Sequence, residues 1–160
     1  MREILFRGKR IDDEGVWVYG FYFNITQHDG KDTRHYIIPF GADIDFNTLL
    51  EEIYFERIQV EVDPETICQW TGLYDLNGKK IFENDYIHCV KEEWGNLFDR
   101  YVEMGYVEIK HGAAGLHRKG GGYYRPFKDW LEDYKLEIIG NVFDDPELME
   151  VQGGEVDEMD

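Results

Sequence analysis

Residues 109–128 concentrate basic side chains in a chain that is otherwise strongly acidic. The segment holds five lysines and arginines, two histidines and no carboxylate, whereas the whole chain of 160 residues has a formal net charge of −17. Two tyrosines follow three consecutive glycines there, so rings and cations stand close together. This composition suits stacking on the bases and pairing with the phosphates of a single-stranded nucleic acid. The candidate binding residues are Lys110, Arg118, Lys119, Tyr123, Tyr124 and Arg125.

A plainer interpretation of the same segment is a solvated loop whose cations pair with carboxylates of the acidic surface around it. We favour this interpretation, because exposed ion pairs are common and say little about function. Nucleic-acid binding through residues 110–128 stays as the alternative. A footprint spread over the whole surface does not fit the net charge, since phosphate contacts require clustered cations.

The histidines and cysteines show no spacing that fixes a metal ion. The five histidines lie at positions 28, 35, 88, 111 and 117 and the two cysteines at 68 and 89, with no paired C-x-x-C or H-x-x-x-H. His88 and Cys89 are neighbours in a predicted strand, where adjacent side chains point to opposite faces. We therefore predict no metal and no cofactor. Both cysteines are interpreted as reduced core residues.

Motifs of familiar enzyme classes are also absent from the sequence. There is no G-x-S-x-G, no Walker loop and no G-x-G-x-x-G after a strand. Asp75, Glu83 and Asp85 form a small group of carboxylates, but they stand beside asparagine and glycine at turns, where an aspartate commonly bonds its own backbone. We predict that the chain is not an enzyme.

Aromatic residues are frequent and indicate a contact with protein. With 4 Trp, 11 Tyr and 10 Phe, the chain is not expected to bury every ring, and a contiguous exposed patch would mark an interaction with a second copy or with another protein. The longest apolar runs, such as residues 36–40, fall far short of the roughly 20 residues that span a bilayer. The N-terminus lacks a signal-peptide pattern, so we predict a cytoplasmic protein without membrane contact.

Strand patterns dominate the first half of the chain. Residues 4–8 and 16–23 predict an opening hairpin, residues 35–40 a third strand and residues 57–62 a fourth. Trp17, Tyr19, Phe21 and Phe23 fall on one face of the second strand, and both of its faces are expected to be covered. Apolar residues at helical spacing predict a short helix over residues 46–54.

The second half is organised around residues 66–90. Two strand patterns, residues 66–74 and 81–90, flank Asn77-Gly78, which is a strong hairpin signal. Further strands are predicted at residues 101–110, 115–118 and 135–143, a turn and flexible loop within residues 111–122, and a short helix at residues 126–134. The last residues are acidic, with eight carboxylates in residues 144–160.

Three stretches resemble the YopX family of phage and prophage proteins. They are T-I-C-Q-W-T-G-L-Y-D-L-N-G-K-K-I-F-E-N-D at residues 66–85, the opening at residues 2–23, and I-I-G-N-V-F-D-D-P-E-L at residues 138–148. Asn84 stands where the family usually has glycine, and asparagine tolerates the left-handed conformation. The resemblance implies an SH3-like β-barrel in the C-terminal part. It carries over no catalytic or binding residue.

These observations together predict a mainly β fold with minor α (α+β). The domains are a β-rich N-terminal region with one short helix at residues 1–64, an SH3-like barrel at residues 65–149, and an acidic flexible tail at residues 150–160. The predicted function is that of a phage or prophage accessory protein that binds protein, either itself or a host factor, without catalysis.

Overall fold

The computed structural model describes residues 3–41, 58–91, 101–118, 124–129 and 131–149. The fold is mainly β, as predicted, and the chain divides into two compact units, Met1–Leu73 and Tyr74–Asp160. The strands are β1 (Phe6–Lys9), β2 (Trp17–Thr26), β3 (Thr33–Pro39), β4 (Val60–Glu61), β5 (Cys68–Tyr74), β6 (Lys80–Phe82), β7 (Asp85–Lys91), β8 (Tyr101–Lys110), β9 (Ala113–Arg118), β10 (Tyr124–Pro126) and β11 (Tyr134–Asn141). Short 3-10 helices lie at Pro64–Thr66, Phe127–Asp129 and Pro146–Met149.

In the first unit the strands lie in the order β4-β3-β2-β1-β5, with antiparallel neighbours. The opening hairpin and the third strand are therefore confirmed. Alternation along the strands sends Val18 and Ile37 to one face, where they are buried with Val62 and form the core of the unit. The fourth predicted strand is shorter than expected, because β4 spans Val60–Glu61.

In the second unit the strands lie in the order β10-β9-β8-β7-β11, again antiparallel. The core of this sheet comes from one face, where Ile87, Cys89, Val107, Leu116 and Leu136 are all buried. Among the residues that the structure describes, no ladder joins β10 to β11, so the SH3-like barrel is not confirmed.

The central turn is confirmed, but the second arm of its hairpin is not one strand. The Asp75 carboxylate accepts hydrogen bonds from the amides of Asn77 and Lys79, both at 2.8 Å, and so closes the Asn-Gly turn. Beyond it, the predicted strand over residues 81–90 is divided into β6 and β7. Asn84 causes the break, because its φ of +64° is left-handed and incompatible with an extended strand. The glycine-like conformation predicted for this residue is thus confirmed.

Between β8 and β11 one prediction is confirmed and another is wrong. The strand predicted over residues 115–118 is part of β9, which directly follows a tight turn at His111 and Gly112 and interrupts the loop predicted over residues 111–122. The helix predicted over residues 126–134 is wrong. In the described part of this range, a 3-10 turn forms at Phe127–Asp129, the Leu131 amide donates a hydrogen bond to the Phe127 carbonyl, and β11 begins at Tyr134. The apolar residues have helical spacing, but only seven residues separate β10 from β11, both of which are paired, and a segment this short does not form a stable α-helix.

The helix predicted over residues 46–54 and the acidic tail at residues 150–160 lie outside the described residues. Within the described part of the chain, no helix is long and apolar enough to cross a membrane.

Candidate interaction face

The basic segment singled out from the sequence forms part of the sheet in the second unit. Lys110 ends β8, Arg118 ends β9, and Tyr124 and Arg125 belong to β10. Lys119 and Tyr123 lie outside the described residues. The cations are thus carried by regular strands, so the side chain of each must follow the alternation of its strand.

This alternation divides the basic segment between two faces of the sheet. Tyr124 pairs with His117 and shares the face of Lys110, whereas Arg125 pairs with Leu116 and shares the opposite face with Arg118. The sequence placed these residues in one site. The structure brings Lys110 close to Tyr124, with its Nζ 5.6 Å from the ring centroid, and brings the two arginines together elsewhere.

Each of these cations lies near a carboxylate. On one face Lys110 Nζ is 2.9 Å from Glu108 Oε2, and His117 Nδ1 is 3.1 Å from the same oxygen. On the other, Glu103 lies between Arg118 and Arg125, with nitrogen to oxygen distances of 3.5 and 3.9 Å. The described cations of the segment therefore do not form a continuous positive surface.

Glu108 is the carboxylate whose ionisation this arrangement changes. Burial alone would raise its pKa, but the hydrogen bonds and charges of Lys110 and His117 outweigh burial, so the pKa of the Glu108 carboxyl lies below its ordinary value. Next to it, the His117 ring stacks on Tyr106 with centroids 4.8 Å apart. The contacts on this face lock side chains into the sheet rather than direct them toward a ligand.

The cysteines do not form a reactive site. Both are buried thiols, and neither forms a disulfide. Burial, reinforced by the negative charge of Glu103 and opposed by Arg125, raises the pKa of the Cys89 thiol to about 12. The thiolate, which is the reactive form, is therefore scarce at neutral pH. The described residues contain no group of three or more histidine, cysteine, aspartate or glutamate side chains placed to hold a metal ion.

A second candidate site, which the sequence did not locate, is the outward face of β2 and β3 in the first unit. We define this aromatic face by the apolar residues that point away from the core of the unit. They are Trp17, Tyr19, Phe21, Phe23 and Ile25 from β2 with Tyr36, Ile38 and the adjoining Phe40. The grouping of Trp17, Tyr19, Phe21 and Phe23 follows the predicted alternation.

Part of the aromatic face is open. Tyr19, Phe21 and Phe40, and Ile25 farther along β2, are 44–48% exposed, a high value for large apolar side chains. The prediction that both faces of this strand are covered is therefore wrong. Alternation correctly gives the face of each residue, but it does not show whether anything packs on that face.

Contacts between the rings hold the aromatic face in shape. The Phe21 and Phe40 rings meet edge to face at 5.5 Å, and the Phe23 and Tyr36 rings stack at 5.4 Å across the strand pair. Such pairs favour offset or edge-to-face geometry because of the ring quadrupole. The face therefore presents ordered rings rather than loose side chains.

Basic side chains border the aromatic face at both ends of β2. At the first end, Lys9 Nζ lies 5.4 Å from the centre of the Trp17 ring, and Cζ of Arg7, which is itself buried, lies 4.6 Å from it. At the other end Arg34 is registered with Ile25 and is exposed. A hydrogen bond with Tyr36 and the charge of Glu61 raise the pKa of the Arg34 guanidinium, so it stays charged.

The chain is similar to known proteins in sequence and in fold. A family model described as YopX protein matches residues 14–150. Among solved structures, the chain is similar to the crystal structure of protein EF1440 from Enterococcus faecalis, with 21% sequence identity and a TM-score of 0.50 over 94% of this chain and 100% of that one. At that identity the similarity concerns the fold alone. No curated protein matches the chain.

Proposed function

The chain belongs to the YopX protein family, and from this premise we propose that it is a non-enzymatic module that binds protein through the aromatic face. The proposal includes a role as a phage or prophage accessory protein in the cytoplasm of a bacterial host, with a host factor or a second copy as the partner. It also includes an SH3-like arrangement of the second unit.

The exposure of Tyr19, Phe21, Ile25 and Phe40 is the observation that carries this proposal. At about 200 Å² per large side chain, four that are nearly half exposed leave roughly 400 Å² of apolar surface on one face of the sheet. Patches of this size on soluble proteins commonly mark interaction sites, because leaving them in water forgoes the free energy of burial. The ordered ring pairs lower the entropic cost of binding, since the side chains are already fixed.

The buried acidic groups support a binding role rather than catalysis, because their contacts are structural. Asp75 closes the central turn, and the buried Asp85 carboxylate accepts a hydrogen bond from the Phe82 amide at 2.8 Å. A general acid or base has to reach a substrate, whereas these carboxylates are directed at the backbone.

Comparing Phe21→Ser with Leu76→Ser tests the proposal. Both residues are exposed and apolar, but Leu76 lies in the turn after β5 and outside the aromatic face. We expect wild type and Leu76→Ser to capture the same proteins from a lysate of cells that express the chain naturally, with Phe21→Ser losing them. Light scattering of the three proteins detects self-association in the same way. Capture that is equal for all three would refute the role of the aromatic face.

The alternative of a nucleic-acid-binding module at residues 110–128 has less support. Arg118 and Arg125 lie on the opposite face from Lys110 and Tyr124, and both approach Glu103. Binding of single-stranded DNA and RNA at increasing salt concentration tests it, since phosphate contacts give a steep salt dependence. Such binding, lost in Arg118→Ala/Arg125→Ala, would replace the proposal above.

A further inference from the structure

One edge of the sheet in the first unit offers backbone groups to a further strand. From this edge we infer that the chain forms a two-fold symmetric dimer, in which the segment Phe21–Thr26 of β2 pairs antiparallel with the same segment of a second copy. The dimer goes beyond the proposed function and does not rest on it, because backbone groups and not the aromatic side chains make the contact. We call Phe21–Thr26 the open edge.

The backbone of β2 points alternately toward its two neighbours, β3 and β1. The Gln27 amide donates a hydrogen bond to the Asp32 carbonyl at 2.8 Å, which continues the ladder between β2 and β3. The backbone groups of the odd-numbered residues of β2 therefore point toward β3. Those of Tyr22, Asn24 and Thr26 point the opposite way, toward the side on which β1 lies.

On that side β1 pairs with only the first part of β2. The ladder ends where Phe6 lies opposite Gly20. Ile4, which would continue the ladder to Tyr22, does not pair with it and is 58% exposed. Among the strands that the structure describes, none pairs with Tyr22–Thr26 on this side. The N–H and C=O groups that point outward from this segment therefore form a free sheet edge.

The open edge lacks the features that usually prevent a sheet edge from pairing. Natural edge strands are kept short, or they carry charges or proline. The edge strand β4 has two residues, one of which is Glu61, and β10 has three, among them Arg125 and Pro126. The six residues of Phe21–Thr26, in contrast, are rich in aromatic and β-branched side chains and include no charge, proline or glycine. This edge is therefore suited to accept another strand.

The sequence of the open edge complements a second copy of itself. In an antiparallel pair centred on Asn24, Tyr22 lies opposite Thr26 of the second copy. On the other face, Phe23 lies opposite Ile25 of that copy. Both are pairs of an aromatic with a β-branched side chain, which stabilise antiparallel sheets, and no like charges meet. Each of the three residues that point outward exchanges an N–H and a C=O, so about six backbone hydrogen bonds form between the copies.

The end of β1 sets the centre of this pairing. Centring it on Tyr22 would place Asn24 of the second copy at Gly20, where Phe6 is already paired. Centring it on Thr26 would leave part of the open edge unpaired. Two-fold pairing about Asn24 uses the same edge in both copies, so it closes as a dimer and does not extend into a fibre. Opposite residues of an antiparallel pair share a face, so the aromatic faces of the two copies would lie on the same side of one continuous sheet.

The test changes the charge at the centre of the pairing. Asn24→Lys and Asn24→Asp each place like charges opposite one another in the dimer, whereas an equimolar mixture of the two variants places opposite charges there. Asn24 is exposed, so both variants are expected to fold, and circular dichroism checks this. Leu76→Lys adds the same charge at an exposed residue of the second unit and is the matched control. Sedimentation equilibrium over a range of protein concentrations measures the dissociation constant of the dimer for wild type, these variants and Phe21→Ser.

We expect wild type, Leu76→Lys and Phe21→Ser to dimerise with dissociation constants within about threefold of one another. Each Asn24 variant alone should dimerise about tenfold more weakly or worse, because like charges directly opposite one another destabilise a strand pair. Mixing the two variants should restore a dissociation constant within about threefold of that of wild type. Amide hydrogen exchange at Tyr22 and Thr26 should slow as the wild-type protein dimerises, because their N–H groups become hydrogen bonded.

A wild-type chain that stays monomeric at the highest concentrations, or equal dissociation constants for wild type and both Asn24 variants, would overturn the inference. So would a mixture of Asn24→Lys and Asn24→Asp that stays as weakly associated as either variant alone, because residue 24 then does not face itself. A dimer that is lost in Phe21→Ser but kept in Asn24→Lys would also overturn it, in favour of pairing through the aromatic face.

A strand of another protein is the remaining occupant of the open edge. A wild-type chain that is monomeric by itself and captures another protein, with capture lost in Asn24→Lys, would reject the second copy in favour of that strand. The capture test of the aromatic face depends on Phe21→Ser, whereas the dimer test depends on the Asn24 variants. The proposed function and the two-fold dimer can therefore fail independently.

Discussion

Replacing Gly20 with alanine should destabilise the first unit strongly, because β2 and β3 approach each other closely at this residue. An ideal Cβ at Gly20 would lie 1.9 Å from the Ile38 carbonyl oxygen and 2.7 Å from its carbon, whereas real Cβ atoms essentially never approach within 3.0 Å. The strands would have to move apart by about 1 Å at the Gly20–Pro39 pair, which is the last pair of their ladder, because van der Waals overlap forbids the closer approach.

The expected loss in the free energy of unfolding follows from the interactions that this displacement breaks. Stretching two ladder hydrogen bonds costs about 1 kcal/mol each. Strain from overpacking adds about 1–3 kcal/mol. The expected loss is therefore about 3–5 kcal/mol, a large part of the stability of a small domain.

Urea unfolding followed by circular dichroism measures this loss. With a slope of about 2 kcal/mol/M, the midpoint of Gly20→Ala should fall by about 2 M. Gly8→Ala is the matched control in the same sheet, because the atoms nearest its Cβ would be side-chain atoms of Val62 and Ile37 at 3.1–3.4 Å, which would have to move by only a few tenths of an ångström. A Gly20→Ala midpoint within 0.3 M of wild type, by the same order-of-magnitude slope, or a Gly8→Ala loss of equal size, would refute the reasoning.

Three further predictions concern the second unit and the thiols. Asp75→Ala should lower the free energy of unfolding by about 2–4 kcal/mol, because two backbone amides of the turn lose their acceptor. Asp75→Asn keeps an oxygen as acceptor and should cost less. Equal losses for the two variants in urea titrations would contradict the role of the carboxylate. Glu108→Gln should lower the free energy of unfolding by up to about 1 kcal/mol at pH 7. Folding lowers the pKa of the Glu108 carboxyl, so this loss should be complete above the ordinary carboxyl pKa of 4.5. It should disappear as the pH falls through the lower pKa of the folded protein. A stability difference between wild type and Glu108→Gln that grows as the pH falls would contradict a lowered pKa for this carboxyl. Cys68 and Cys89, both buried, should react with a disulfide reagent only in denaturant, and a fast-reacting thiol in the native protein would contradict the burial that raises the pKa of Cys89.

Strand alternation is the part of the fold that the sequence predicts best. The placement of Tyr19 and Phe21 on one face followed from their spacing alone, since the side-chain period of a strand is two. Their exposure did not follow, because it depends on what packs over the sheet, which no local pattern encodes. The sequence therefore predicted which residues share the aromatic face, but not that their side chains are exposed.

The cations of the basic segment were grouped into one candidate site because its glycines favoured a loop, although residues 115–118 were also predicted as a strand. Gly115 is a strand residue whose missing side chain makes room for a ring, since a Cβ there would lie 2.7 Å from Tyr124. Once β9 and β10 are recognised as strands, alternation alone separates Arg118 from Tyr124. A contiguous run of cations in sequence is thus no guide to a contiguous surface in a sheet.

The break at Asn84 and the short turn at Phe127 reflect competition between local patterns and tertiary pairing. At Asn84 the apolar alternation of residues 81–90 predicts one strand, but β7 pairs with β8 and β11, and the left-handed residue redirects the chain to reach them. At Phe127 the helical spacing is present, but the paired strands on both sides fix the chain ends too closely for a helix to extend.

The central claim, that the aromatic face is where the protein meets its partner, can be tested directly by site-specific photocrosslinking. A benzophenone side chain replaces Phe21 in one protein and Leu76 in another, and each is irradiated in cells that express the chain naturally. We expect a discrete adduct of defined mass from position 21 and none from position 76. The same adducts from both positions, or none from position 21, would contradict the claim.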